Sequence, residues 1–477
     1  MLPEIAAAQR ELVDQQLQQD PLPIQFRALA DAVRSTQCPG ELWEVGCASG
    51  YNREVLDRQG IAYRSYGGCD ISPAAIKVAL ERYPESEFVC FASHDRPPFD
   101  LCGLPSSFDV VIDGCALMHA DDWKIHLADL CARSRRWVIL HRVPLAIATK
   151  RTETHGYGQT FRAWDVNHMD LMAAMAETGF QGRDFFRADG GSTTYVCARP
   201  RVYATYADSN YLTRLKALHA SMLRHCQPFE LHILSWDEGV RDWAESVGCP
   251  TQLPGTIGIL PGPERTRVET MWTLGPWWIA EVMKSTGRPV CYVDADIMFH
   301  SSPEPVFAEI GAAPAAVFPH NFASASHGLP GPTVETHEVF GKYNVGLVYI
   351  ANREIVEEWA AQCREWCYDR VEQVPIPERQ LRYGDQKYLD AWPEKHGAHV
   401  VMAPGANLGP WAIHGRALDV RGGVPYFGNR SLVAFHYSGY RELADGHTVI
   451  TRPEYQVTKR QGEIIYRPYV EELERQR

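Results

Sequence analysis

Two short stretches of this chain carry side chains whose type and spacing can do chemistry. The first reads Leu42-Trp43-Glu44-Val45-Gly46-Cys47-Ala48-Ser49-Gly50-Tyr51: an apolar strand, a turn with small residues at 46, 48 and 50, and the start of a helix. Small residues let the backbone turn tightly against a ligand at the carboxyl end of a first strand. About 20 residues on, a second strand-like run ends Gly67-Gly68-Cys69-Asp70. A carboxylate there is placed to accept both hydroxyls of a ribose. The spacing alone fits NAD or S-adenosylmethionine. Two details favour the second. Glu44 stands two residues before the first glycine, where an acidic group can orient a cationic methionyl part, and the residues after Gly46 do not give GxGxxG.

The second stretch is Val290-Cys291-Tyr292-Val293-Asp294-Ala295-Asp296-Ile297-Met298-Phe299. An apolar run delivers two carboxylates, one residue apart, at its exit. Alternate residues of a strand share a face, so Asp294 and Asp296 can approach one hard divalent cation. Such an ion can bridge the two phosphates of a nucleotide sugar and offset charge on the leaving diphosphate.

These residues need elements to hold them. Residues 1–36 read as helical with a break at Asp20-Pro21-Leu22-Pro23. Strands are expected at 42–45, 66–70, 87–91, 109–112, 137–141 and 193–198, and helices at 51–59, 73–83, 122–133 and 168–178. Alternating strand and helix implies a parallel, doubly wound sheet. At Ala198-Arg199-Pro200 the pattern starts over, with strands expected at 202–207, 231–235, 290–293, 315–318, 345–350, 398–402 and 432–436. The expected domains are a helical segment over 1–36, a first α/β domain over 37–199, a second over 200–455, and a charged peripheral helix or tail over 456–477.

Composition narrows the class. Hydrophobic residues make up 45% and charged residues 22% of 477, which are globular values. Acidic residues outnumber basic ones 59 to 47, for a net charge of -12, which disfavours a nucleic-acid partner. The N-terminus lacks the basic and apolar regions of a signal peptide. The 25 uncharged residues from Ile310 to Val334 carry four prolines and two histidines, which no membrane span would tolerate. The expectation is a cytoplasmic protein with no transmembrane segment. Thirteen scattered cysteines without a CxxC argue against a disulfide framework or structural zinc, and Cys363 and Cys367 are expected as buried thiols.

Residues 40–198 resemble the class I S-adenosylmethionine-dependent methyltransferases, whose loop reads acidic-x-G-x-G-x-G. The resemblance implies that Glu44, Gly46, Ala48, Gly50 and Asp70 bind S-adenosylmethionine. Asp70-Ile71-Ser72-Pro73 corresponds to the ribose motif, and Ala92 to Phe99 to the adenine contact. Ser93 stands where an aspartate is common there, as Ala48 replaces the middle glycine. Ala116-Leu117-Met118-His119 follows the fourth strand near the methyl group, making His119 the candidate base, with His141 and Tyr157 behind it.

Residues 201–442 resemble the GT-A glycosyltransferases, in particular the retaining family 8. The likeness places Thr205, Tyr206, Asp208 and Tyr211 at the nucleotide, and Asn344 of Tyr343-Asn344-Val345-Gly346 near the sugar. Asp385 and Gln386 of Gly384-Asp385-Gln386-Lys387 then lie beside the anomeric carbon. In Phe435-His436-Tyr437-Ser438-Gly439 it implies His436 as third protein metal ligand and Gly439 beside the nucleotide sugar; with this ligand set Mn²⁺ suits better than Mg²⁺. Arg267 and Arg441 are candidate phosphate partners. The combined expectation is two Rossmann-like α/β domains, a methyltransferase sheet followed by a GT-A domain. The chain would be a bifunctional enzyme acting on a glycan or glycosylated metabolite, with a UDP-sugar as donor. The alternatives are a glycosyltransferase with a non-catalytic S-adenosylmethionine-binding domain, and a non-enzymatic scaffold in polysaccharide assembly.

Overall fold

The computed structural model describes residues 3–91, 107–156, 159–256, 264–322, 340–370, 372–373, 381–414, 416–442, 448–451 and 455–477. The chain divides into two compact units, Met1–Pro200 and Arg201–Arg477.

The first unit opens with α1 (Pro3–Leu17) and α2 (Ile24–Thr36), separated at the expected prolines. Phe26, Leu29, Ala30 and Val33 of α2 are buried, so this helix belongs to the core of the unit. Strands β1 (Glu41–Val45), β2 (Ser65–Asp70), β3 (Phe88–Cys90), β4 (Phe108–Asp113) and β5 (Ser134–Ala146) run parallel in the order β3-β2-β1-β4-β5. Helices α3 (Tyr51–Arg58), α4 (Pro73–Arg82), α5 (Trp123–Arg133) and α6 (His168–Glu177) alternate with strands. Their starts follow from side-chain caps: Ser72 accepts from the Ala75 amide, Asp122 from Lys124, and Asn167 from Met169. The chain leaves β1 towards β2 and β3, then returns to β4 on the other side of β1. Loops therefore diverge between β1 and β4, opening a crevice at the carboxyl ends of those strands.

Three strands of this unit were not expected: β6 (Lys150–Gly156), β7 (Gln159–Asn167) and β8 (Gln181–Arg187). The β6–β7 hairpin is rich in polar and charged residues, so it lacks the apolar alternation that marks a half-buried strand. Strand β8 pairs only with β9 (Ser192–Ala198) and is mostly exposed. β9 lies antiparallel to β5.

In the second unit, β10 (Arg201–Ala207), β11 (Phe229–Ser235), β12 (Thr251–Gln252) and β13 (Val290–Val293) are parallel, in the order β12-β11-β10-β13. α7 (Leu212–His225), α8 (Glu238–Ser246) and α9 (Arg267–Thr286) connect them. β14 (Ile297–Phe299) and α10 (Glu304–Ile310) follow, then β15 (Ala315–Pro319) and β16 (Tyr343–Ile350). β16 lies antiparallel between β13 and β15. Alternation along β10 sends Tyr203 into one core and Val202 and Ala204 into another, one on each face of the sheet. Here too the chain diverges, between β10 and β13. Cys363 and Cys367 are fully buried, as expected of structural thiols.

The last segment is not peripheral. Residues 459–476 are helical, and Ile465, Tyr466, Tyr469 and Leu473 form a buried stripe. Tyr469 stacks on Tyr437 with centroids 3.6 Å apart. Glu472 is buried and paired with Arg224, but the other charges are at the surface, which is why the sequence reads as a solvated tail. Among the described residues no helix is long and apolar enough to cross a membrane. Leu473→Ala should cost the second unit about 2–5 kcal/mol in denaturant unfolding; a loss below about 0.5 kcal/mol would return the helix to the periphery.

Candidate functional sites

The turn after β1 is built from left-handed residues: Gly46 at φ +78°, Ala48 at +46° and Gly50 at +74°. Gly46 is constrained twice, because a Cβ there would lie 3.1 Å from the Ala116 methyl and 3.2 Å from the Gly114 carbonyl. Ala48 tolerates a conformation that costs a residue with a Cβ about 1 kcal/mol. The turn is tied to the end of β2. The Gly46 and Cys47 amides donate to the Cys69 carbonyl at 2.8 and 3.1 Å. The Ala48 amide donates to Asp70 Oδ2 at 2.9 Å, and the Ser72 amide to Asp70 Oδ1 at 2.8 Å. Asp70 thus clamps the turn as well as ending β2, a role its spacing did not disclose.

Glu44 differs from its expected place. It is 0% exposed, and its carboxylate accepts from Asn52 Nδ2 at 2.5 Å and from the Tyr66 hydroxyl. It braces the turn from beneath rather than facing open space at the turn. Burial pushes its carboxyl up to about 7, against the pull of the Tyr66 and Asn52 hydrogen bonds. His119 ends the short helical turn Leu117–His119 after β4, with an exposed side chain bonded to the Arg162 carbonyl of β7. His141 is a core histidine: Nδ1 lies 2.9 Å from Thr194 Oγ1, and burial pushes its pKa down to about 3. Ser93 and Tyr157 lie outside the described residues. Sequence reasoning missed Arg142, at φ +58° beside a bulge in β5 and bonded to both Asp189 oxygens at 2.8 and 2.9 Å. It also missed Tyr51 and Cys115, whose charged neighbours are the same Arg142, Glu44 and Asp70 or Asp113. A left-handed backbone at a non-glycine leaves no mark in sequence.

In the second unit, Asp294 and Asp296 leave β13 at the divergence point. His436 arrives from strand Ala434–His436, which pairs antiparallel with β14 and sets Ile297 opposite His436. His436 Nε2 lies 3.0 Å from Asp296 Oδ1 and 3.5 Å from Asp294 Oδ2, and one ligand atom from each of the three residues falls within 4.8 Å of the others. On the far side of the ring, Nδ1 lies 3.4 Å from Asn344 Oδ1. That oxygen also accepts from the Gly346 amide at 2.8 Å and from Asn407 Nδ2 at 3.1 Å. An oxygen so surrounded is an acceptor, so Nδ1 carries a hydrogen, and Nε2 is the nitrogen left to face the carboxylates: as imidazolium it donates to Asp296, and once deprotonated it offers a lone pair. Two carboxylates this close to one ring nitrogen require a positive charge between them, which the imidazolium proton or a cation in its place supplies. Burial alone would lower the His436 pKa, yet the carboxylates of Asp296 and Asp294 carry it upward. Two carboxylates and an oriented imidazole are also the donor set of a divalent cation, so the residues fit Mn²⁺.

Asp294 is further held by the Tyr292 hydroxyl at 2.5 Å from Oδ1. Asp385, at the head of the turn Gln386–Ala391, makes no capping bond with its side chain and is 7% exposed. Burial and the nearby Asp294 charge push it up to about 7. Tyr206 faces the same two carboxylates, and a Cβ on Gly275 of α9 would lie 3.1 Å from its ring. Gln386 is half-buried beside Asp385, and Gly439 turns the chain after His436 at φ +81°.

Other residues differ from expectation. Thr205 is 0% exposed, with its hydroxyl facing into the core, so its side chain offers no ligand contact. Asn344 spends its carbonyl oxygen on His436. Asp208 caps the turn Ser209–Tyr211 and pairs with Arg267 at 3.1 Å. Arg441 is exposed. The cation that the sequence did not single out is Arg214 of α7: it lies 4.3 Å over the Tyr211 ring, donates to the Tyr440 carbonyl at 2.7 Å, and acts electrostatically on Asp296.

Residues 43–133 match the family model of a methyltransferase domain. The first unit thus holds a methyltransferase domain of Rossmann-like α/β fold. The chain is 26% identical over 294 residues to the uncharacterized protein YfnD of Bacillus subtilis (strain 168), covering 57% of this chain and 88% of that protein. This share exceeds the 200 residues of the first unit, so the match extends into the second. Among solved structures, magnesium protoporphyrin IX methyltransferase from Synechocystis PCC 6803 with bound S-adenosylmethionine is 14% identical, covering 36% of this chain and 77% of that one at a TM-score of 0.28. The amino pentose methyltransferase CalS10 from Micromonospora echinaspora is 15% identical, covering 36% and 89% at 0.29.

Glu44 generates a pH prediction. Its folded pKa of about 7 stands above the ordinary 4.5, so its stabilising contribution is complete below pH 4.5 and is lost as pH rises through 7. Glu44→Gln cannot ionise and should gain on wild type across that window, by up to about 3 kcal/mol. Thermal melts of both proteins at pH 5 and pH 8 check this; a stability difference that does not change with pH would contradict it.

Proposed function

We propose that this chain is a bifunctional glycan-modifying enzyme. Its first unit transfers a methyl group from S-adenosylmethionine, and its second transfers a sugar from a nucleotide sugar, in the manner of retaining GT-A enzymes. What carries the methyl-transfer reading is the left-handed Gly46–Gly50 turn clamped by Asp70, within a segment that matches a methyltransferase domain. What supports glycosyl transfer is the Asp294, Asp296 and His436 cluster at the strand-divergence point of a second α/β sheet.

In this reading Asp294, Asp296 and His436 hold Mn²⁺, which supplies charge to the leaving diphosphate. Tyr292 keeps the Asp294 carboxylate turned inward. Arg214 and the exposed face of Tyr211 border the same site and suit a diphosphate and a base. Asp385 lies where a carboxylate can stabilise positive charge developing at the anomeric carbon. A cation beside Asp294 would relieve the repulsion that raises the Asp385 pKa and favour its ionised form. In the first unit the left-handed turn and Asp70 border the cofactor, and the hairpin β6–β7 with His119 borders the acceptor. The acceptor is a glycan or glycosylated metabolite.

Two measurements test the reading. Calorimetry should show S-adenosylhomocysteine binding that Asp70→Ala weakens at least tenfold, since each lost bond to a charged group is worth about 1.5–3 kcal/mol; equal affinity would remove Asp70 from the site. Separately, hydrolysis of a UDP-sugar panel with Mn²⁺ should fall by orders of magnitude in Asp296→Asn. Cofactor binding should stay unchanged in that variant. Asp385→Asn should keep donor binding and lose turnover, and proton NMR of a transfer product should show a retained anomer. Full turnover in EDTA would reject the metal reading, and an inverted product would reject the family-8 likeness.

A further inference from the structure

The metal reading leaves one buried polar residue unexplained. Asn407 is 3% exposed and was not singled out by any sequence pattern. Its segment runs beside the His436 strand: the Val433 amide donates to Gly405, Leu408 to Ala434, and His436 to Leu408. Nδ2 of Asn407 donates to Asn344 Oδ1, while its own Oδ1 has no partner among the described residues. A buried amide with an unpaired oxygen costs about 1–3 kcal/mol, so an apolar side chain would pack here at lower cost. Its contribution is the single bond to Asn344.

That bond matters because of where the Asn344 amide points. Asn344 Oδ1 takes three donors: the Gly346 amide, Asn407 Nδ2 and the ring Nδ1 of His436. If the Asn344 amide were flipped, its NH₂ would face the Gly346 and Asn407 donors and would ask His436 Nδ1 to accept. The imidazole would then carry its hydrogen on Nε2, towards Asp294 and Asp296, where no lone pair would remain for a cation. The approach requires glycine at 346, since a Cβ there would lie 2.5 Å from His436 Nδ1 and 2.7 Å from Asn344 Oδ1.

We propose that Asn407 is a positioning residue for the metal site: through Asn344 it locks His436 in the tautomer that offers Nε2 to a divalent cation. This rests on the metal reading above. Asn407 touches neither the ion nor the donor; it selects the state of a ligand two hydrogen bonds away. Outer partners of this kind govern metal affinity by about 10–100-fold.

The test is Mn²⁺ affinity of the full-length protein, measured by the EPR signal of free Mn²⁺ at pH 7.5 without any nucleotide sugar. Asn407→Asp is the sharpest variant. It is nearly isosteric, but its carboxylate cannot donate and invites the Asn344 amide to flip. It should weaken Mn²⁺ binding at least tenfold, and Asn407→Ala less so. Asn407→Gln, which can still donate, should recover part of the loss. Far-UV circular dichroism melts identify any variant that fails to fold, and for such a variant ¹⁵N chemical shifts of histidine rings in the wild type take its place: His436 must show Nδ1–H. Wild-type affinity in Asn407→Asp, with binding abolished in Asp296→Asn, overturns the proposal and leaves the metal site standing. No Mn²⁺ binding by the wild type overturns both. An Nε2–H tautomer for His436 overturns the positioning role.

Discussion

Three acceptors within 4.8 Å of one another, two carboxylates and an imidazole nitrogen, cannot share a buried space without a positive charge among them. The second unit is organised around that constraint. Strand β13 ends where the sheet diverges, so Asp294 and Asp296 emerge into the crevice. The pairing of β14 with Ala434–His436 carries the histidine to them across more than a hundred residues of chain. The helix at the C-terminus then seals this strand from behind, Tyr469 lying flat on Tyr437 next to His436. The stability of a remote helix and the geometry of the ligand cluster are therefore one packing problem. A loosened helix frees the strand that aims the imidazole.

The shell outside the cluster explains why its members point as they do. Tyr292 turns one Asp294 oxygen, Asn344 orients His436, and Gly346 supplies the space for the close approach. Burial and the negative field of Asp294 push the Asp385 carboxyl up to about 7. Each is a short-range interaction in a low-dielectric setting, where a donor facing the wrong way costs more than a missing contact.

The first unit solves a different problem, that of holding a backbone turn open to a ligand. Its amides at 46, 47 and 48 are all spent on the end of β2, through the Cys69 carbonyl and the Asp70 carboxylate. Glu44 lies buried beneath the turn, where a charged group sits only at cost, and its carboxyl is pushed up to about 7. The result is a left-handed turn held from within the protein. It stands at the divergence of β1 and β4, as the Asp294, Asp296 and His436 cluster stands at that of β10 and β13.

Much of this was legible in the residues themselves. Gly46 and Gly50 announce a turn because only glycine adopts positive φ freely; Asp294 and Asp296, expected to share a strand face, instead stand in a turn between β13 and β14, closed by the Ile297 amide donating to the Asp294 carbonyl at 3.1 Å. The alternation of apolar runs with helices located β1, β2, β4, β10 and β13 and the helices that follow the strands of the first unit. What the sequence could not contain were the orientations. The burial of Glu44, the left-handed backbone at Ala48 and Arg142, the inward stripe of residues 465–473, and the turning of Asn344 towards His436 all depend on neighbours tens to hundreds of residues away. Local periodicity reports which residues share a face; the direction of a hydrogen bond, the charge on a carboxyl and the tautomer of a histidine are decided by what the fold brings against that face.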